Sequence, residues 1–516
     1  MARTKKNFVQ LMGLSLIIYP LAFFNQILMS NYFGTSFEVD AYWIAISIVN
    51  LLGFYIQPAK EAFIPEFFKH LKLGKKIGSQ YFSEAGNFLL ILILLSSLLL
   101  YLFPSFFAGL LVSDQQHLLQ KTTLLLPYVL PLVSLFAITE ILNGILVSYN
   151  KVFFQNIGRL LGVLFSIFFL LVFAKQLQIK AVIFSAVLAA FVLFFIQWKE
   201  LHKVDLHYRF LTIPRVDDQF RKMLSALLLI YAYSQLNAVI ERKIFSFFGE
   251  GIISAYQYAN SISHIPQNII VMALTTVLWP KFLELSQAEN KEQLFLLTAK
   301  ACKILAILLT FISLFTWIFA NDIVFILYYR GAFNEKSLLQ TTLCLRALII
   351  TICPLGISLI LSRVLISLQK AKSMIIAGVG VTSGSILVLL VGRWIEVLEV
   401  SIFHLIIGAT LGCFLLAIMF LRYIKSVSPD TFKYRKAVFW TVRLISLNAF
   451  LYIIYPVSKF ENIGSVLSDK TLLFGGLVIH FMFLTIVYGI LLIVLKLIPC
   501  SDIIYSIGLI KEKVFK

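Results

Sequence analysis

The chain is dominated by a succession of apolar stretches, each long enough to cross a bilayer as a helix, for which about 20 mostly apolar residues suffice. Fourteen segments qualify: 8–32, 40–62, 88–112, 123–147, 152–174, 179–198, 223–247, 253–279, 301–327, 338–366, 373–394, 400–422, 437–456 and 471–497. Most are continuous and lack period-two alternation, which argues against an outer-membrane barrel. The second and eighth carry the most polar residues and proline. Composition agrees: 60% of residues are hydrophobic and 13% charged, against roughly a quarter charged in a soluble domain. The expected fold is an all-α polytopic membrane protein of about 14 transmembrane helices. MARTKK is followed from Phe8 by an apolar stretch too long for a signal-peptide core, so it reads as a retained first span. Cys302, Cys344, Cys353, Cys413 and Cys500 are scattered without paired spacing and read as buried thiols, neither disulfides nor metal ligands.

A net charge of +19 would suit a nucleic-acid partner in a soluble protein. In a membrane chain it reads first as orientation. With the N-terminus inside and spans alternating, inside segments hold 29 Lys or Arg, outside loops eight, and the spans the remaining seven. That bias expects both termini in the cytoplasm and an even number of spans, with no nucleic acid bound. No loop is long enough for a soluble catalytic or nucleotide-binding domain, and no Walker A sequence occurs. The expectation is a transporter rather than an enzyme, with no cofactor, doing its work inside the membrane.

The chain repeats itself. YFGTSFEVDAYWIAISIVNLLGFYIQPAKEAFIPEFF at 32–68 parallels FFGEGIISAYQYANSISHIPQNIIVMALTTVLWPKF at 247–282, and ILVSYNK at 145–151 parallels VLISLQK at 364–370. Both pairs lie about 215–219 positions apart. The unit covers six spans, an even number, so the two copies share orientation about an axis along the membrane normal, with a substrate site expected between them. The expected organisation is an N-lobe at 1–200 (spans 1–6), a C-lobe at 201–425 (spans 7–12), and 426–516 with spans 13, 14 and a cytoplasmic tail.

A charge at mid-bilayer costs roughly 2.5–3.5 kcal/mol, so charged groups there face a protein interior or a wet cavity. The seven cations are Lys60, Arg159, Arg242, Lys243, Arg346, Arg363 and Arg443; Asp40, Glu61, Glu140, Glu241 and Asp322 are acidic companions. Polar stripes at helical spacing run along span 1 (Asn25, Gln26), span 2 (Asn50, Gln57, Lys60, Glu61), span 7 (Gln235, Glu241, Arg242) and span 8 (Gln257, Asn260, His264). These are the first pair of each lobe, where an interlobe cavity would be lined. The competing reading is that such groups only tie helices together. Asp40 opens a span and could simply cap its own helix. Lys60 and Glu61 could neutralise each other, and His264 could be a packing residue rather than a proton switch.

These residues resemble the MurJ (MviN) lipid II flippases of the MOP exporter superfamily. FGTSFEVDAYWIA at 33–45 with AFIPEF at 62–67, ERKIFSFFGEGIISAYQYANSISHIPQ at 241–267, and YRGAF at 329–333 carry the likeness. The resemblance implies a V-shaped, two-lobed carrier with a cationic cavity. It would move an undecaprenyl-pyrophosphate-linked saccharide from the inner to the outer leaflet of the bacterial cytoplasmic membrane, by alternating access without ATP. Asp40 matches the family's acid after the first-loop Phe-Gly, and Arg242 with Glu241 its acid–Arg pair. Three positions depart: Asn25-Gln26 replaces an Arg-acid pair, Gly53-Phe54 stands where basic residues are common, and Ser261 replaces an arginine. Lys60, Arg242 and Arg363 are left to supply positive charge.

The expected substrate-binding set is thus Arg242, Glu241, Lys60, Asn25, Gln26, Asn50, Gln57, Gln235, Gln257, Asn260, His264 and Arg363, with Asp40, Glu61 and Glu140 for coupling or gating. The membrane potential or a monovalent ion would drive export, and cell-wall synthesis proteins are candidate partners. Alternatives are a flippase for a surface-polysaccharide repeat unit, a cation-coupled drug exporter, and a non-transporting cell-wall scaffold.

Overall fold

A computed structural model describes residues 2–425 apart from 114, 150, 205, 207, 210, 211, 213–217, 289 and 369, and then 443, 444, 447, 448, 451, 470–495 and 497. Every regular element among the described residues is helical. In chain order they are α1 (Ala2–Phe33), α2 (Phe37–Leu52), α3 (Ile56–Leu73), α4 (Lys75–Leu102), α5 (Pro104–Leu111), α6 (Gln116–Ser148), α7 (Val152–Leu177), α8 (Ile179–His202), α9 (Asp218–Phe247) and α10 (Ile252–Pro266). A π-helical segment, Gln267–Val271, leads into α11 (Met272–Gln287), α12 (Lys291–Ile318), α13 (Ala320–Tyr328), α14 (Glu335–Ser367), α15 (Ala371–Trp394), α16 (Leu398–Ile402), α17 (His404–Lys425) and α18 (Lys470–Val494).

Among the described residues, eleven helical segments are long and apolar enough to span a membrane. The first and seventh expected spans are present as α1 and α9 but are not among the eleven. In α9, Gln235, Glu241, Arg242 and Lys243 dilute the apolar run. The thirteenth, at 437–456, lies largely outside the described residues. Large apolar side chains stand exposed in rows, such as Leu94, Leu95 and Leu98 on α4 or Ile479, Met482 and Phe483 on α18. Water would not tolerate such rows, but lipid does.

The helix boundaries reproduce the repeat. α4 and α12 are both 28 residues, start 216 positions apart, and stop before a non-helical phenylalanine, Phe103 or Phe319, that introduces a second short helix. Pro104 explains the first break, since it lacks an N–H and disfavours helix at the residue before it. Ala320 stands at the second, so the break does not need proline. α6 and α14 are both 33 residues, 219 positions apart. They end alike: Lys151 N–H donates to Leu146 O at 2.8 Å, and Lys370 N–H to Leu365 O at 2.9 Å. Both copies also interrupt their second helix at matching places. α2 and α3 are separated by a turn at residues 53–55, and α10 and α11 by the π segment, while α2 and α10 begin 215 positions apart.

Packing divides the chain into two compact units, the first Met1–Tyr258 with Tyr328–Gln340 and Ile386–Ser401, the second Ala259–Leu327, Thr341–Ser385 and the residues from Ile402 on. In the first, Phe63 stacks on Phe67 (ring centroids 5.2 Å) and on Tyr81 (5.7 Å), and His70 stacks on Tyr81 (4.3 Å). This aromatic column fixes α3 on α4 and so sets the direction of Lys60 and Glu61 one turn away. In the second, Phe282, Leu294, Leu305, Leu309, Ile349 and Val364 form the fully buried centre.

Candidate functional site

Three groups of polar side chains lie in the first unit. One ties its loops together. Asp40 is fully buried (0% exposed), yet it does not cap its own helix as its position suggested. Its Oδ2 accepts from Gly251 N–H at 2.7 Å and its Oδ1 from Ser254 N–H at 2.8 Å, so it caps α10. Glu250 does the converse: its Oε1 accepts from Phe37 N–H, the first residue of α2, at 3.1 Å. Each repeat's second helix is therefore capped by an acid belonging to the other's. Helix N-termini leave N–H groups unpaired and carry positive dipole, so carboxylates are well suited to them. The α13–α14 loop joins the same knot. Ala332 N–H donates to Asn31 O at 2.9 Å, Thr35 and Ser337 hydroxyls bond at 2.7 Å, and Tyr258 O–H donates to Gly34 O at 3.0 Å. Glu250, Asn31 and Ser337 had no place in the sequence reading, because nothing local marks a cap supplied from over 200 residues away; the paired Phe-Gly motifs were the only hint.

The second group surrounds Arg242. It is 7% exposed. Its Nε donates to Ser47 Oγ at 3.1 Å, its guanidinium lies 6.0 Å from the Tyr256 ring centre, and Nη1 is 4.0 Å from Glu241 Oε1. Nη1 is shielded from water and makes no hydrogen bond. Tyr256 O–H donates to Glu241 Oε2 at 3.3 Å. The pairing of Glu241 with Arg242 read from sequence is present, but loose.

The third group corrects another expectation. Lys60 and Glu61 do not neutralise each other. One residue of helical rotation points them apart, so Lys60 Nζ meets Glu140 Oε2 at 2.6 Å while Glu61 Oε1 accepts from Tyr231 O–H at 2.9 Å. Arg159 adds a second cation 3.9 Å from Glu140 Oε1. Two cations thus share one carboxylate, while Glu61 adds a second acid to the group. Asn25 donates from Nδ2 to Ser166 Oγ at 3.1 Å, and with Gln26 it lines a cavity within this unit. Asn50 is exposed; Gln57, Gln235 and Gln257 are partly exposed.

Asn260, His264 and Arg363 belong to the second unit. His264 Nδ1 pairs with Gln267 Oε1 at 3.0 Å, across the start of the π segment, as a packing histidine would. Arg363 is exposed and stands 5.5 Å from the Trp279 ring centre, and Arg346 stands 5.4 Å from that of Trp317. Each of these guanidiniums thus stands near a tryptophan ring, an arrangement that favours a cation.

The sequence model of the family described as "Lipid II flippase MurJ" matches residues 29–474. The probable lipid II flippase MurJ of Buchnera aphidicola subsp. Schizaphis graminum is 25% identical over 358 residues, covering 65% of this chain and 67% of that protein. The probable lipid II flippase MurJ of Rhizobium tropici is 25% identical over 357 residues, covering 64% of this chain and 65% of its own length. The alignments thus span about two thirds of these relatives. A solved lipid II flippase MurJ in an inward closed conformation superposes with a TM-score of 0.76 at 19% identity, covering 93% of this chain and 97% of that one. An inward-facing multidrug resistance MATE family transporter of the MOP superfamily gives 0.63 at 14% identity, covering 82% and 99%. The repeated helix pattern, the motifs around Asp40 and Arg242 and the match over most of its length place this chain in the MurJ lipid II flippase family.

Proposed function

We propose that this chain carries an undecaprenyl-pyrophosphate-linked saccharide of the lipid II type from the inner to the outer leaflet of the bacterial cytoplasmic membrane. The observation that carries the reading is Arg242, a buried guanidinium whose Nη1 has no hydrogen-bond partner. Glu241, 4.0 Å away, offsets the charge but makes no hydrogen bond to Nη1, and the planar fork of arginine fits pyrophosphate oxygens once the site opens. Lys60 and Arg159, sharing Glu140, supply further positive charge.

Both termini lie in the cytoplasm on this reading, as the 29-to-8 distribution of basic residues favours. The loops at Gly34, Glu250 and Gly331 then face outward, and their mutual bonds keep that end shut until the cycle breaks them. Segments 1–200 and 201–425 act as the two lobes, with 426–516 as an addition. The interrupted second helices, at residues 53–55 and at Gln267–Val271, are where the lobes bend. Moving an anionic head outward across a negative-inside potential gains about 2.3 kcal/mol per charge per 100 mV, so no ATP is needed. Asp40, Glu61 and Glu140 are the acids through which an ion could couple instead. Cell-wall synthesis proteins would receive the product.

The neutral amides of Asn25 and Gln26 favour, as a second reading, a lipid-linked repeat unit of a surface polysaccharide. Complementation of cells depleted of their lipid II flippase separates the two. Rescue by the wild type is expected. Failure to rescue, together with loss of capsule or exopolysaccharide on deletion, would overturn the lipid II reading. Arg242→Ala is expected to cut transport about 10- to 100-fold, the worth of one or two charged hydrogen bonds. Wild-type rescue by Arg242→Ala would remove Arg242 from the site.

A further inference from the structure

A cavity of about 620 Å³ opens between three stretches of the first unit: the α5–α6 turn, the last turns of α9 and the end of α15. Its polar lining is Ser113, Gln116, Lys243 and Arg393, over apolar walls from α5, α6 and α9. Local structure fixes both cations. Lys243 follows Arg242 on α9, and one residue of helical rotation turns it the other way: Arg242 is buried and Lys243 exposed. Phe247 lies one turn beyond Lys243 on the same face. The Arg393 guanidinium stands on that ring, 3.3 Å from its centre. α15 ends just after Arg393 in a left-handed turn, with Glu396 at φ +58° and Val397 N–H donating to Gly392 O at 3.0 Å. Gly392 packs so closely on Ser401 that a Cβ would collide with it, so the turn presenting Arg393 is stiff. On the other wall, Ser113 N–H donates to Ser246 Oγ at 2.8 Å and pins the α5–α6 turn to α9.

The charge there is one-sided. Among the described residues, none of the lining is acidic and Lys243 has no ion-pair partner. Arg393 has Glu396 at 3.5 Å, but that acid is outside the lining and 69% exposed, so the pair is weak. Asp114, next to Ser113 in the chain, lies outside the described residues. A snorkelling lysine needs no ligand, and an arginine can rest on a ring alone. Neither habit explains why both line one cavity of ligand size. Two cations side by side raise the local potential, and an anion relieves it. Gln116 is the first residue of α6, so the positive end of that helix dipole adds to the same field. A guanidinium fork beside an ammonium suits the two phosphates of a pyrophosphate. On the orientation proposed above, all three stretches lie at the outer end. An anion leaving Arg242 outward along α9 would meet Lys243 next.

We propose that this cavity is an exit site, in which Lys243 and Arg393 take the pyrophosphate of the exported lipid as it passes from Arg242 to the outer leaflet. The proposal rests on the lipid-linked saccharide reading for the identity of its ligand.

The test is hydrogen exchange of the full chain in phosphatidylcholine nanodiscs, read in peptides covering 109–119 and 389–398. The probe is farnesyl pyrophosphate, a short polyprenyl pyrophosphate. Both peptides are expected to exchange about threefold or more slowly with the probe bound. The double variant Lys243→Gln, Arg393→Gln is expected to need about tenfold more probe for the same protection, since charged bonds at an exposed site are partly screened. Arg242→Ala is expected to keep the protection. Protection that survives the double variant unchanged, or vanishes in Arg242→Ala, would overturn the exit site. Equal protection by inorganic pyrophosphate would show a site for the free anion. Protection already complete in phosphatidylglycerol nanodiscs without probe would show a site for bilayer phosphodiesters. Either result would overturn the assignment, as would protection seen only in Asp114→Asn, which would mean that Asp114 already holds Lys243. Complementation keeps the two readings apart. Rescue with both peptides unprotected overturns the exit site alone, and protection without rescue overturns the transport reading alone.

Discussion

Replacing Asp40 by alanine is expected to speed amide hydrogen exchange at Gly251 and Ser254 by about a hundredfold or more, and to abolish rescue in the complementation assay. Two backbone N–H groups donate to this one buried carboxylate, at 2.7 and 2.8 Å. Hydrogen bonds to a charged partner contribute about 1.5–3 kcal/mol each. The desolvation of a carboxylate offsets part of that, leaving about 3 kcal/mol, which is about two powers of ten in an opening equilibrium. The alanine also leaves the first turn of α10 with unpaired donors in a dry interior. Asparagine is not expected to rescue. It keeps one acceptor oxygen and turns an NH₂ toward the second donor, so one bond is lost and one repulsion gained. Glu250→Gln makes a useful contrast, because Glu250 is only partly buried and its single bond to Phe37 is 3.1 Å. Its effect should be a few-fold and confined to the start of α2. Exchange at Gly251 and Ser254 within threefold of wild type in Asp40→Ala would show that the carboxylate does not hold the two loops together.

The course of the helices was largely legible because lipid imposes one rule along the whole chain: apolar runs of sufficient length must be helical. The repeat was legible for the same reason, since ILVSYNK and VLISLQK end matched helices of equal length. The break at Phe319 was not legible, because Ala320 offers no local cause for it; only its partner at Pro104 does. The polar site was legible as an inventory and illegible as a set of partners. Lys60 and Glu61 are neighbours in sequence, yet helical rotation sends one to Glu140 and the other to Tyr231. Asp40 reads as the opening residue of a span, yet α2 already begins at Phe37 and the helix Asp40 caps begins over 200 residues later. Those pairings are settled by which helices touch, which no window of sequence records. For the same reason the cavity that Lys243 and Arg393 share could not be read from two cations far apart in the chain.

Gly331→Ala is expected to be the most damaging Gly→Ala change among the described residues. Gly331 has φ +57°, and a Cβ there would lie 2.2 Å from Asn31 O and 2.5 Å from Asn31 Oδ1. Gly34 is its counterpart: φ +58°, with a built Cβ 2.4 Å from Ala332 O. The two loops thus press backbone on backbone at both glycines, and Ala332 N–H donates to Asn31 O between them. Neither contact can be relieved by rotating a side chain, since the atoms struck include main-chain carbonyl oxygens. The left-handed conformation adds roughly 1 kcal/mol for any residue with a Cβ. Separation of the loops would also cost the Ala332–Asn31 bond and expose the Thr35–Ser337 pair. A loss of about 3 kcal/mol or more is expected for Gly331→Ala, of the size seen when a strained, tightly packed position is overfilled. It should appear as a thermal midpoint several degrees lower in detergent. Gly378→Ala is the control: it is exposed in the interior of α15 with nothing within 4 Å of an added Cβ, and alanine there should be neutral or stabilising by up to about 1 kcal/mol. Because Gly34 and Gly331 report on the same contact, Gly34→Ala/Gly331→Ala should cost clearly less than the sum of the single changes. Full additivity, or a Gly331→Ala midpoint equal to that of Gly378→Ala, would mean that the two loops do not bear on each other in the folded protein.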